Sequence, residues 1–391
     1  MGKKRFSVPA LILTAVLSVL ATALAAAGIA WMLLGSEGLS MVETVVLIKS
    51  SFVGEHDLGE AVDQSLDALI EGLGDRWSYY MDAEAYVSQQ ESRSNSYVGI
   101  GVTVTYPEGG GLLIEAVAEG GPAAQAGLSA GERITAVDGK VLTAANSADG
   151  AELVRGPEGS QVTLTVQGTD GTVREVTVTR MQVEEHPVSY ELLADATGLV
   201  TIRNFNSRCA QEAIAAVDAL VEEGAQRLVF DVRNNGGGYL DELTELLDHL
   251  LPKGIIFRSE TKNGSKGSVE SDESCVDLPM AVLVNGNTYS AAELFAAELQ
   301  EMEWGVIVGE PTFGKGFSQQ TFPLLNGGAI NISTAKYFTG EGVSLIGTGL
   351  TLDQEVTLTD EQAAALAAGT LAPEEDPQLQ AAIALLKTDG T

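Results

Sequence analysis

A serine hydroxyl becomes a nucleophile only when a neighbouring base takes its proton, and a lysine amine serves as that base when it is held out of water. The sequence offers the pair as Ser290, in Asn287-Thr288-Tyr289-Ser290-Ala291-Ala292-Glu293, and Lys315, in Thr312-Phe313-Gly314-Lys315-Gly316. A third segment, Asn234-Asn235-Gly236-Gly237-Gly238, is glycine-rich, and glycine lets backbone N–H groups approach a developing oxyanion. The backbone amide of Ala291, at the start of a helix, is a second donor of that kind. The glycine loop lacks the Gly-Lys-Ser/Thr ending of a phosphate-binding loop. His56, His186 and His249 all lie outside these segments, so a Ser-His-Asp triad fits badly. Ser290 to Glu293 also spells a capping box, which taken alone is a helix start and nothing more.

The elements around these segments alternate. Leu199 to Arg203 reads as a strand, Ala210 to Glu223 as a helix, Arg227 to Val232 as a strand, and Leu240 to Leu250 as a helix. Met280 to Val284, Ala291 to Met302 and Val306 to Gly309 continue the pattern as strand, helix and strand. Such repeats predict a mainly parallel sheet with right-handed crossovers, whose strand-end loops gather on one edge. The 25 residues from Ser290 to Lys315 make about one strand-helix-strand step, so the two side chains come to the same edge.

Ahead of this core the pattern is β-rich. Val98 to Val104, a Gly109-Gly110-Gly111 turn and Leu112 to Val117 signal a hairpin. Pro122 opens a short helix that Gly127 closes, and Asp138-Gly139 ends a strand. A helix up to Arg155 and strands Val162 to Val166 and Val173 to Thr179 follow. The ordered set Gly99-Ile100-Gly101, Gly121-Pro122-Ala123, Ala126-Gly127-Leu128, Gly131-Glu132, Asp138-Gly139 and Arg155-Gly156 resembles a PDZ domain. That resemblance implies a peptide C-terminus added as a strand, its carboxylate held at Gly99, Ile100, Gly101 and Val102. Arg155 either assists the carboxylate, couples the module to the core, or is an exposed helix-end residue.

The core resembles the C-terminal processing, or tail-specific, proteases of the Ser/Lys type. The likeness rests on four segments: Asp231-Val232-Arg233-Asn234-Asn235-Gly236-Gly237-Gly238; Val282 to Asn285 with Ser290-Ala291-Ala292-Glu293-Leu294; Val308-Gly309-Glu310-Pro311-Thr312-Phe313-Gly314-Lys315-Gly316-Phe317-Ser318-Gln319; and Gly347-Thr348-Gly349-Leu350-Thr351. It implies a nucleophile at Ser290, a base at Lys315, and a supporting Gln319 on the lysine amine. It also implies an oxyanion hole at Gly237 and Ala291, structural support from Glu293 and Thr312, and a serine endopeptidase with neither metal nor cofactor. Two positions depart from the family pattern: Asn287-Thr288-Tyr289 replaces a small serine-rich run, and Thr351-Leu352-Asp353 replaces Thr-Pro-Asp.

Composition bounds the rest. A formal net charge of -32 leaves no cationic surface for nucleic acid. Lys3, Lys4 and Arg5 precede an uncharged stretch from Ser7 to Ser36, long enough to span a bilayer with its start in the cytoplasm. Small residues from Ala21 to Ala27 offer a signal-peptide cleavage site, but apolar residues run on through Leu34, which favours an uncleaved anchor. Cys209 and Cys275 have no metal-ligand spacing and stand open between one bridge and two free thiols. The expected architecture is therefore an α/β multidomain chain: an anchor at 1–40, a helical segment at 41–96, a PDZ-like module at 97–183, a crotonase-like α/β core at 184–360, and a helical tail at 361–391. Residues 89–95 read as a polar, mobile stretch. The implied partners are proteins with exposed C-termini outside the cytoplasm and the membrane itself, with a homo-oligomer or regulatory partner left open. An inactive membrane-anchored peptide-binding scaffold is the competing reading.

Overall fold

The computed structural model describes residues 7–388, and the chain divides into two compact units, 1–65 and 66–391. In the first, the helix Val8–Ser51 has no buried residue and kinks at Gly35, where φ is 62°. Its apolar composition and 44-residue length exceed the roughly 20 residues that span hydrocarbon. The basic Lys3, Lys4 and Arg5 lie outside the described residues.

The second unit is built on a six-stranded sheet ordered Val188–Leu192, Thr197–Ile202, Arg227–Asp231, Met280–Val284, Gly305–Gly309, Gln354–Glu355. The first pair is antiparallel and the remaining four pairs are parallel. Side chains alternate across a strand, and both faces of this sheet are apolar. Val200, Ile202, Phe230 and Val282 pack with the helices Cys209–Glu222, Leu240–Leu250 and Ala291–Glu301. Val229, Ala281, Leu283 and Val308 pack with Leu379, Ala382, Ile383 and Leu386 of the helix Pro377–Thr388. Burying apolar groups on both faces is what forces the helices to take both sides.

A second sheet, antiparallel throughout, was not read from the sequence. Its strand Ala329–Phe338 lies between Phe317–Pro323 on one side and Tyr79–Met81 on the other, and further along pairs with Ile255–Thr261. The stretch expected to be a mostly helical lead-in thus also contributes a strand. Nor is 89–95 loose: the helix Ala83–Ser94 runs through it and ends at Asn95, in the left-handed region at φ 47°. Asn95 is buried and donates to Asn204 Oδ1 and Ser207 O, which fixes the helix end. The core opens with the antiparallel edge strand Val188–Leu192.

The β-rich module has the strand order Val102–Thr105, Leu112–Val117, Arg133–Val137, Gln161–Gln167, Val173–Thr179 around its own core of Ile114, Ile134, Leu164 and their neighbours. Pro122–Gln125 is its short helix, and Gly127 follows at φ 78°. The chain enters and leaves through two paired strands, Ser96–Gly99 and Met181–Glu184. Both cysteines are free, Cys209 buried and Cys275 exposed, and burial pushes the Cys209 thiol up.

Candidate active site

Three loops at the C-terminal ends of the parallel strands are stitched together by side chains that accept or donate locally. Asn234 N–H donates to Asn285 Oδ1 at 3.0 Å, while the Asn285 and Asn287 amides both donate to Asn234 Oδ1. Thr288, fully buried, donates through Oγ1 to Val232 O at 2.9 Å. Gly238 meets Phe205 so closely that a Cβ would fall 2.1 Å from the Phe205 carbonyl carbon, so only glycine fits there.

Ser290 sits between the loop and the helix Ala291–Glu301 with φ 63° and ψ -126°, a conformation a serine adopts only at a cost on the order of 1–3 kcal/mol. Glu293 explains how that position is held. Its carboxylate, fully buried, accepts from Ser290 N–H at 3.3 Å, Gly314 N–H at 2.7 Å and Lys315 N–H at 3.0 Å. One side chain thus ties the serine loop to the lysine loop. Burial pushes the Glu293 carboxyl up, opposed by these hydrogen bonds and one from Thr312. Thr312 in turn accepts from Leu350 N–H at 2.9 Å through Oγ1 and links the Gly347-Thr348-Gly349 segment to the loop.

Lys315 is 9% exposed, and among the described residues no carboxylate pairs with it. Its Nζ lies 4.3 Å from the centroid of Trp77 and 5.8 Å from that of Tyr289. Desolvation, the largest influence, and the Arg93 charge together outweigh Asp75 and Glu293 and bring the amine down from 10.5 to about 8. Tyr337, buried, donates through its hydroxyl to Lys315 O at 2.7 Å, and its own phenol is pushed up by burial.

Ser290, Ala291, Lys315 and Gln319 all line one cavity of about 690 Å³, with Arg93, Gly236, Gly238, Leu294 and Tyr337 also on its wall. No histidine lines it. The Ala291 N–H has no acceptor within its helix, as the first helical amide must. The Gly237 N–H donates to Asn235 Oδ1 at 2.8 Å, and the flanking Gly236 and Gly238 line the cavity. Gln319 also departs from the direct amide-to-lysine contact. Its Nε2 donates to Phe317 O at 2.8 Å and Ser333 Oγ at 3.0 Å.

Comparison with known proteins follows the same lines. The model of peptidase family S41 matches residues 196–356, and a PDZ domain model matches 113–168. A carboxyl-terminal-processing protease of Synechocystis sp. is 30% identical over 82% of this chain and 76% of its own length. The chain belongs to peptidase family S41. A second S41 relative, the carboxy-terminal processing protease CtpA of Bacillus subtilis, is 32% identical over 75% of this chain, which spans 64% of that protein. The solved photosystem II D1 C-terminal processing protease shares 26% identity, with a TM-score of 0.50, over 88% of this chain and 92% of its own. The fold is thus an S41 peptidase-like, mixed α/β fold with a PDZ domain.

Within the PDZ domain the four residues expected to hold a peptide carboxylate run from the end of the strand Ser96–Gly99 to the start of the edge strand Val102–Thr105. Gly99 pairs with Met181, and the Ile100 side chain is buried in the domain core while its carbonyl accepts from Ala123 N–H at 2.8 Å. Gly101, at φ 75°, accepts from Ala118 N–H, and Val102 begins an edge strand. The Arg155 guanidinium lies 5.7 Å from the Tyr97 ring centroid. Sequence reasoning missed Trp77 beside the Lys315 amine, and Arg93 and Tyr337 on the cavity wall. The Asp75-Arg76-Trp77-Ser78 run, with an Asp three residues before a Ser as in a local side-chain turn, was the available signal for the first.

Proposed function

We propose that this S41 family member is a membrane-anchored serine endopeptidase in which Ser290 is the nucleophile and Lys315 the general base. The observation that carries the reading is the pairing, on one cavity, of a serine in a strained helix-start conformation with a desolvated lysine that has no carboxylate partner among the described residues. A lysine so placed gives up its proton near physiological pH. Neutral Lys315 takes the Ser290 hydroxyl proton as Oγ bonds to the scissile carbonyl carbon. The Ala291 N–H and an N–H of the 236–238 loop stabilise the oxyanion. Collapse breaks the C–N bond, the Lys315 ammonium returns its proton to the departing amine, and water then cleaves the acyl-enzyme by the same route in reverse.

In this reading the PDZ domain selects an exposed, apolar C-terminus of an extracytoplasmic protein, adding it along the edge strand Val102–Thr105, where Gly99, Ile100, Gly101, Val102 and Arg155 are the candidate contacts. The helix Val8–Ser51 anchors the chain in the membrane. The test compares wild type, Ser290→Ala and Lys315→Ala on an unfolded protein with an apolar tail, alongside labelling by a serine-directed covalent inhibitor. Loss of cleavage in both variants and loss of label in Ser290→Ala are expected; undiminished cleavage in either sinks the assignment.

A further inference from the structure

The wall of the active-site cavity carries a charge that the Ser290/Lys315 chemistry does not use. The chain has 54 Asp and Glu against 22 Lys and Arg, yet no acidic residue lines this cavity; its charged side chains are Lys315 and Arg93. Lys315 acts as a base only in its neutral form, whereas a guanidinium keeps its proton. Arg93 is thus the fixed charge that a bound peptide meets on this wall.

Arg93 lies in the last turn of the helix Ala83–Ser94, where a cation ordinarily serves the free carbonyls of the helix end. Here other donors have taken them. Glu91 O accepts from Asn95 N–H and Ser94 Oγ, Ser92 O from Asn206 Nδ2 at 3.2 Å, Arg93 O from Ser207 N–H at 3.1 Å, and Ser94 O from Arg208 Nη1 at 3.4 Å. The guanidinium is fixed from the side instead. Its Nη1 donates to Oδ1 of the buried Asn206 at 3.1 Å, and the bond to Ser92 O orients that amide. Its carbon stands 5.3 Å from the ring centroid of Tyr239, another residue of the wall.

A guanidinium carries five N–H donors in a planar fork. Among the described residues Asn206 is the acceptor that Arg93 meets, and no carboxylate pairs with it. The buried Arg233, by contrast, spends its donors on Asp231, Asp376 and Gln378. Arg93 is therefore half-buried, held in place and left with donors to spare, which is the condition of a group that binds an anion. The anion a protein substrate supplies is a carboxylate, from an Asp or Glu side chain or from a free C-terminus, and its two oxygens match the fork. A cavity of about 690 Å³ is about 9 Å across, the length of about three residues of extended chain.

We propose that Arg93 is a specificity-determining residue that binds a substrate carboxylate within about three residues of the bond Ser290 attacks. The proposal rests on the Ser290/Lys315 reading and deepens it.

The experiment measures kcat/KM for the full chain at about pH 9 on paired peptides. One set has an apolar tail and carries Glu or Gln at one position at a time, up to about three residues on either side of the scissile bond. The other set ends within that distance past the bond in a free or an amidated C-terminus. Carboxylate over amide is expected to raise kcat/KM about tenfold at one position, the first set reading a side-chain source and the second a terminal one. Arg93→Gln brings that ratio to about one while the amide peptide is still cut, Arg93→Lys keeps part of it, and added salt shrinks it in wild type. Both members of a pair meet the same base, so a change in Lys315 cancels in the ratio, and an arginine that only supported the helix would leave the ratio unmoved. A wild-type ratio near one in every pair, or a preference that survives Arg93→Gln, overturns the proposal alone. Cleavage of both members by Ser290→Ala or Lys315→Ala at the wild-type rate overturns the underlying reading.

Discussion

Lowering the pH should silence cleavage through one group. With the Lys315 amine at about 8, the neutral, basic fraction is about nine-tenths at pH 9 and about one-hundredth at pH 6, a fall of roughly 90-fold. An ordinary lysine at 10.5 would at pH 7 hold about 300-fold less neutral amine than this one. The sign follows from the cause: burial disfavours the ammonium, so the base is present above the lowered value and lost below it. Single-turnover cleavage of an unfolded, apolar-tailed protein, followed from about pH 6 to 9 under conditions where the chemical step limits the rate, reads this directly. Arg93→Gln supplies the internal control, since removing a cation that disfavours the ammonium moves the limb to higher pH. A flat profile in wild type across this range would refute the reasoning.

Two substitutions test the scaffold. Glu293→Gln leaves only one carbonyl oxygen for three backbone N–H donors, so at least one of Ser290, Gly314 and Lys315 faces an amide nitrogen; thermal unfolding should report a loss of about 1–3 kcal/mol, with kcat falling in parallel. Asp376→Asn removes one of two carboxylates on the buried Arg233, which it meets at 2.7 Å, and should cost on the order of 3 kcal/mol by the same measurement.

Much of the site was legible because its parts lie in contiguous motifs on strand-end loops. Ser290 and Lys315 reach one cavity by a local strand-helix-strand step, and Glu293 signals itself as a capping residue three positions after Ser290. The Asp75 turn was not legible in the same way. The strand after it is three residues long, too short to show a period of two, and its partner Ala329 to Asn331 lies far along the chain, so nothing local specifies the pairing. The helix over 89–95 was missed because its polar residues carry no apolar stripe; Asn95 fixes it through tertiary hydrogen bonds. Gly237 and its neighbours are indistinguishable in sequence. That the Gly237 amide is taken by the Asn235 side chain is visible only in three dimensions.

Arg233, in the loop after the strand Arg227–Asp231, is held by Asp231, by Asp376 at 2.7 Å and by Gln378 at 2.8 Å. At the other extreme the Asp75 turn holds Ser78, whose hydroxyl accepts from Ser333 N–H. These two supports stand 301 residues apart in the chain. During synthesis, Ser290 and Lys315 emerge well before the segment that carries Asp376, and contacts of such long range form late. Catalytic competence is then among the last properties the nascent polypeptide acquires. A prematurely terminated product ending before Asp376 would contain every motif residue and still lack the Asp376 and Gln378 contacts that hold Arg233 beside the glycine loop.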